Sequence, residues 1–158
     1  ADVLNVLPPM RAGRIAIDAG IASVKDAQGA ARWCGVNYLN FESVAAKDVH
    51  VIGDAMQLAP GMPKSGHMAN SQAKVLAAAL VAELNGWPVN TAPMLNNTCY
   101  SFVSDKLVVH VASVHNYVAA EKTFKPVPGS GGVSSDLSEL EGSYAWNWAR
   151  TIWADTLA

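Results

Sequence analysis

The stretch His50 to Val75, HVIGDAMQLAPGMPKSGHMANSQAKV, holds an apolar run ending in Gly53-Asp54, a loop broken by Pro60 and Pro63, and the opening of a helical pattern. Val49 to Ile52 is a short β-branched run of the kind that a parallel sheet buries on both faces. A strand finishing in Gly-Asp sets a carboxylate at the carboxyl edge of a sheet, where open α/β sheets take their ligands, and the glycine lets another group approach the backbone. Asp54 is therefore read either as the acceptor for a chain of hydroxyls or as the cap of a turn. Beyond the loop, Met68 to Leu84 is rich in alanine and leucine and stops at Asn85-Gly86, which predicts a helix. The start of that helix presents unpaired N–H groups, and Lys64 just upstream adds a full positive charge. The pair is either an anion site or a solvated lysine before an ordinary core helix.

Composition limits the rest. A chain of 158 residues, half of them apolar and 15% charged, can bury one core or two small ones and is too apolar to stay disordered. A formal charge of −2 without a Lys/Arg cluster excludes a phosphate-backbone footprint, so no nucleic-acid partner is expected. Cys34 and Cys99 are too few for a disulfide scaffold and too far apart for a zinc signature. His50, His67, His110 and His115 lack metal-ligand spacing, so no metal is expected. No leader pattern opens the sequence, and the longest apolar helical run, Val75 to Ala82, is far short of a membrane span.

Along the chain, Ala1 to Leu7 reads as a strand stopped by Pro8-Pro9, and Met10 to Gly20 as a short helix ending at glycine. An opening in mid-architecture suggests a fragment. Ile21 to Lys47 is loop-rich, with Trp33 to Asn37 turning between short extended pieces. After Gly86, Trp87 to Asn97 reads as a proline-bearing linker with a boundary near residue 90. Tyr100 to Val103 and Leu107 to Tyr117 form an expected antiparallel hairpin turning at Ser104-Asp105-Lys106, followed by a glycine-rich loop from Pro126 to Ser135. Asp136 or Ser138 is placed to cap a last helix, on which Tyr144, Trp148 and Ile152 share a face.

Five segments, HVIGDA, MPKSGHMANSQAKV, LNNTCYS, SGGV and YAWNWARTIWADTLA, in this order and spacing, resemble the carboxyl-terminal part of the flavoprotein subunit of flavocytochrome c sulfide dehydrogenase. The resemblance implies an α/β or α+β chain. A partial FAD/NAD(P)-binding fold of the two-dinucleotide-domain type would be followed by a small antiparallel-sheet plus helix domain. Residues 1–33 would then end the second dinucleotide-type domain, 34–90 the FAD-binding domain, and 91–158 would form a small flavin-contacting domain. It further implies that Gly53, Asp54, Ala55, Pro63, Lys64, Ser65, Asn70 and Gln72 bind FAD, with Asp54 on the ribitol. Lys64, Ser65 and the helix start would lie at the pyrimidine edge of the ring, where positive charge favours the reduced flavin. Cys99 corresponds to a redox-active cysteine, half of a disulfide over the flavin, and Trp148 to a tryptophan near it. Sulfide would be the substrate, a cytochrome c subunit carrying the haem would be the acceptor, and the location would be periplasmic.

The sequence departs from the family pattern in having neither the glycine-rich turn of a first dinucleotide domain nor the family's second redox cysteine. These residues alone are expected to be inactive. Cys34, in a Trp-Cys turn, is read as structural, and its pairing with Cys99 stays open. Two other functions compete: a sulfide:quinone oxidoreductase type of flavoprotein on a membrane surface, with Trp146, Trp148 and Trp153 as anchors, or an inactive assembly module that self-associates through an exposed sheet edge.

Overall fold

The computed structural model describes residues 2–157. A short helix α1 (Arg14–Asp18) leads into two small antiparallel pairs, β1 (Val24–Lys25) with β2 (Ala31–Trp33) and β3 (Val36–Asn37) with β4 (Glu42–Ser43). A single 3-10 turn, Gly53–Ala55, precedes the long helix α2 (Gly66–Asn85). The remaining elements are β5 (Met94–Phe102), β6 (Val108–Val118), β7 (Thr123–Pro126), β8 (Gly132–Val133) and α3 (Glu139–Leu157). Strands β5, β6 and β7 form an antiparallel sheet in that order, with β8 also paired to β6. Of the two fold classes left open by the sequence, this is α+β.

Local chemistry explains the long elements. Helix α2 begins where the Ser65 hydroxyl accepts from the Met68 N–H at 3.0 Å, and ends at Gly86, whose φ of 68° is a left-handed cap. Its buried residues Met68, Gln72, Ala79 and Ala82 recur at three- and four-residue steps or multiples of them, so one stripe faces the interior. Ser138 caps α3 by accepting from the Glu141 N–H at 3.1 Å. Glu139 and Glu141 stand in the first turn of α3, where negative charge meets the positive helix end. In the turn between β5 and β6, the Ser104 hydroxyl accepts from the N–H groups of Lys106 and Leu107. No helix among the described residues is long and apolar enough to cross a membrane.

The main core joins Phe41, Met56, Ala59, Met62 and Met68 to Leu95 and Phe124, drawing on both sides of residue 90. A second cluster packs Ala12, Ala16, Ala22 and Cys34. The outer edge of β5 is covered by α2, because the Asn96 N–H donates to Ser71 Oγ at 3.3 Å and the Thr98 N–H to His67 Nδ1 at 3.2 Å. Helix side chains thus satisfy donors that an open edge would leave free.

Four expectations need correction. Val49 to Ile52 is not a strand of a parallel sheet: His50 makes one antiparallel bridge to Glu42, and the Val51 N–H donates to the Phe41 carbonyl, so the run lines a loop. Asp54 consequently sits in a 3-10 turn rather than at a strand end. The strand expected at Ala1 to Leu7 has no partner among the described residues, with Leu7 86% exposed, and Ala1 lies outside them. Met94 to Asn97, assigned to a linker, belong to β5 because β6 is long enough to pair with them from Ser113 to Asn116.

Candidate functional site

On β5, residues two apart share a face. Tyr100 and Phe102 turn toward α3, where Tyr100 lies 6.4 Å from the Trp148 ring and Phe102 6.1 Å from the Trp146 ring. Leu95, Asn97 and Cys99 take the other face, which leads into the core. Both sets meet at the outer edge of β5 in an open groove of about 430 Å³, lined by Ser65, His67, Cys99, Tyr100, Trp148 and Trp153 among others. A groove of about 500 Å³ runs between α2 and the 88–94 segment, but Lys74 is the one charged side chain that lines it and it holds no cysteine. The smaller groove is the one that holds a free thiol.

The groove contains donors without acceptors. The indole N–H of Trp148 is buried with no partner, although its ring is held by His67 at 5.6 Å and Tyr100 at 6.4 Å. The α2 amino terminus opens into the same groove at Ser65, Gly66 and His67, adding partial positive charge. His67 Nδ1 accepts from the Thr98 N–H at 3.2 Å, which leaves the ring proton on Nε2. The Asn96 carbonyl also lies 3.2 Å from Nδ1, but one atom serves only one of them at a time. Burial pushes the His67 pKa down; the contact with Asn96 opposes that shift and the charge of Lys74 adds to it. His67 is therefore held neutral.

Cys99 is half-buried and its thiol is free. Its sulfur lies 3.4 Å from the side-chain nitrogen of Asn97, a residue only 2% exposed, and Asn97 Oδ1 in turn accepts from the Ser65 hydroxyl. Cys34 is also free but fully buried in the second cluster, where burial raises its thiol pKa. The open question of pairing resolves to two separate thiols, with Cys34 a packing residue.

The residues singled out in the sequence fall into groups. Ser65, Cys99 and Trp148 come together in the groove. Lys64 and Asp54 meet next to it, though through the backbone: Lys64 Nζ donates to the Asp54 carbonyl at 2.5 Å and stands 3.8 Å over the Trp33 ring. Burial lowers the Lys64 pKa, with Asp54 opposing and Arg32 reinforcing the shift. The Asp54 side chain is exposed and Pro63 is half-buried. Gly53, Ala55 and Gln72 serve the scaffold in this geometry. Gln72, 1% exposed, accepts from the Gly53 N–H at 2.7 Å, and the Ala55 carbonyl accepts from the Cys34 N–H. Asn70 lines a separate polar recess of about 170 Å³ with Lys74, Thr151 and Asp155. Asn97, His67 and Tyr100 are not among the site residues read from the sequence, and Trp153 is read there only as a membrane anchor. The only signal for Asn97 was its two-residue spacing from Cys99 on a strand.

A planar, electron-poor ring with a polar edge suits this arrangement, because aromatic walls offer stacking area while the Trp148 N–H and the α2 start offer donors. Residues 91–157 match the family described as Flavocytochrome c sulphide dehydrogenase, flavin-binding. That stretch runs from just before β5 to the end of α3 and supplies most of the groove. Residues 91–157 are therefore a flavin-binding domain of the flavocytochrome c sulphide dehydrogenase type, with FAD as the cofactor.

Proposed function

We propose that this protein takes part in sulfide oxidation through Cys99, and that the electrons pass by way of FAD to a cytochrome c that carries the haem. The observation that carries the reading is a half-exposed, hydrogen-bonded thiol in the same groove as an unpartnered indole N–H and a helix amino terminus. In the reacting state Cys99 is one half of a disulfide. Hydrosulfide attacks one sulfur, the disulfide bond breaks, and a persulfide forms while the other sulfur leaves as thiolate with the electron pair. The buried position of Cys34 makes it unsuited to be the other half. FAD, when bound, supplies the two-electron acceptor for this chemistry.

The roles of the chain's own residues follow from their positions. Trp148, Tyr100 and Trp153 line the groove beside the reacting sulfur and offer ring faces. Trp148 Nε1 and the first N–H groups of α2 are the donors for an electron-rich edge, and neutral His67 keeps its Nε2 proton available to the groove. Lys64 contributes positive potential from its place over Trp33, while Asp54, exposed beside it, is the hydroxyl acceptor. The link to cytochrome c rests on the family name, and a periplasmic location on the sequence resemblance alone.

Replacing Cys99 by Ser in the FAD-loaded protein tests the reading. Sulfide-driven bleaching of the flavin spectrum should be lost while the bound flavin content is unchanged. Normal bleaching would remove Cys99 from the reaction.

A further inference from the structure

We propose that Asn97 is a positioning residue for Cys99, holding its sulfur and favouring the thiolate through one oriented amide N–H. The inference rests on the reading of Cys99 as the reacting sulfur.

The orientation follows from a chain of hydrogen bonds. The Ser65 hydroxyl oxygen accepts from the Met68 N–H at 3.0 Å, so its own proton is free to be given elsewhere. It goes to Oδ1 of Asn97. With Oδ1 fixed toward Ser65, the amide nitrogen is turned to Cys99, 3.4 Å from Sγ. The relay runs from a backbone N–H in the first turn of α2, through a hydroxyl and an amide, and delivers a donor to sulfur. Each bond polarises the next, and the helix end adds its positive potential to the whole chain.

Burial makes the relay matter. A side-chain amide that is 2% exposed must be satisfied within the protein, and both of its ends are. The weaker contact in the opposite sense, Cys99 Sγ to Asn97 Oδ1 at 3.7 Å, is, among the described residues, the only one in which sulfur would donate. Oδ1 is already engaged by Ser65, so the amide offers the thiolate a better partner than it offers the thiol. Since the thiolate is the nucleophile and the leaving group in disulfide exchange, a donor fixed on sulfur assists the step in both directions.

The test is the rate of alkylation of the full chain by iodoacetamide, read at the Cys99 peptide by mass spectrometry, as the ratio of the rate at pH 7 to that at pH 10. Without the donor on sulfur, Asn97→Leu should lower this ratio severalfold and leave the pH 10 rate within about twofold. Asn97→Asp keeps the shape and replaces the donor by a carboxylate. It should lower the ratio at least as much, and it covers the case in which the leucine variant fails to fold. Ser65→Ala, which removes the group that orients the amide, should give a smaller drop of about two- to threefold. An unchanged ratio in Asn97→Asp, or equal losses at both pH values, would overturn the proposal. The assay uses neither sulfide nor flavin reduction, so its result is separable from that of Cys99→Ser.

Discussion

Trp148 carries the clearest unmet need of any side chain in the groove, a buried indole N–H with no acceptor. A buried donor left unpaired is costly, and a ligand that supplies the acceptor recovers that cost. Trp148→Phe keeps an aromatic ring against Tyr100 and His67 while deleting the donor. It should weaken flavin binding about three- to tenfold, as read by fluorescence titration with FAD, with little loss of thermal stability; unchanged affinity would assign Trp148 to packing alone. Gln72 shows the opposite relation to the site. The family resemblance implies a cofactor contact for it, yet its amide is spent on the Gly53 N–H and on Met62 Sδ at 3.5 Å, contacts that shape the 53–65 loop.

Helices α2 and α3 place the groove from opposite sides of β5, and each depends on a small residue at a defined point. At the start of α2, Ser65 both caps the helix and enters the Asn97 relay. Losing the cap in Ser65→Ala should cost about 1 kcal/mol of stability in chemical denaturation. On α3, Gly142 is buried, and a Cβ there would come within 2.3 Å of the Lys106 carbonyl at the β5–β6 turn. Backbone cannot yield as a flexible side chain does. Gly142→Ala should therefore push α3 off the hairpin and separate Trp146 from Phe102, seen as a red-shifted tryptophan emission and a lower Tm. The Ser134–His110–Glu141 cluster ties the same helix to β6: Glu141 accepts from Ser134 at 2.7 Å and lies 2.9 Å from His110 Nδ1. The hydrogen bond from Ser134, followed by that from His110, lowers the Glu141 pKa. That stabilisation is present above the unfolded carboxylate value and is lost as pH falls through the lower folded one.

Across the molecule, one core couples the 34–90 part to the sheet, because Met56, Met62 and Met68 pack with Leu95 and Phe124. His115 is fully buried, with Nε2 3.0 Å from the Ser113 hydroxyl and Nδ1 unpartnered. Burial lowers its pKa, as it does that of His67. The unfolded chain therefore takes up protons near pH 6.5 that the folded one refuses. Stability is complete above that value and should decline as pH falls below it, by no more than about 1.4 kcal/mol per pH unit for each such histidine. Urea denaturation between pH 7.5 and 5 measures the decline. His115→Leu should flatten it, and an equally steep decline in that variant would place the acid sensitivity elsewhere.

The elements that could be read from the chain are those whose signals are local. The alanine-rich run and Gly86 mark α2 and its end, while the cap Ser65 is read only as a flavin contact. Alternation and a polar turn mark the hairpin, and Ser138, one of two candidate caps, marks α3. Their caps and periodicities act within four residues, so the sequence is enough to place them. Val49 to Ile52 reads as a buried strand because β-branched residues suit strands and half-buried loops alike; only the position of Phe41 and Glu42 decided between them. Of the groove's lining, Ser65, Cys99 and Trp148 are among the residues singled out in the sequence, but their coming together is not. Ser65 and Asn97 stand 32 positions apart, and the groove's residues come from α2, β5 and α3. Such contacts depend on how helices pack against a sheet edge, which no local pattern encodes. Tertiary packing alone brought the α2 cap to Asn97, and through Asn97 to the sulfur of Cys99.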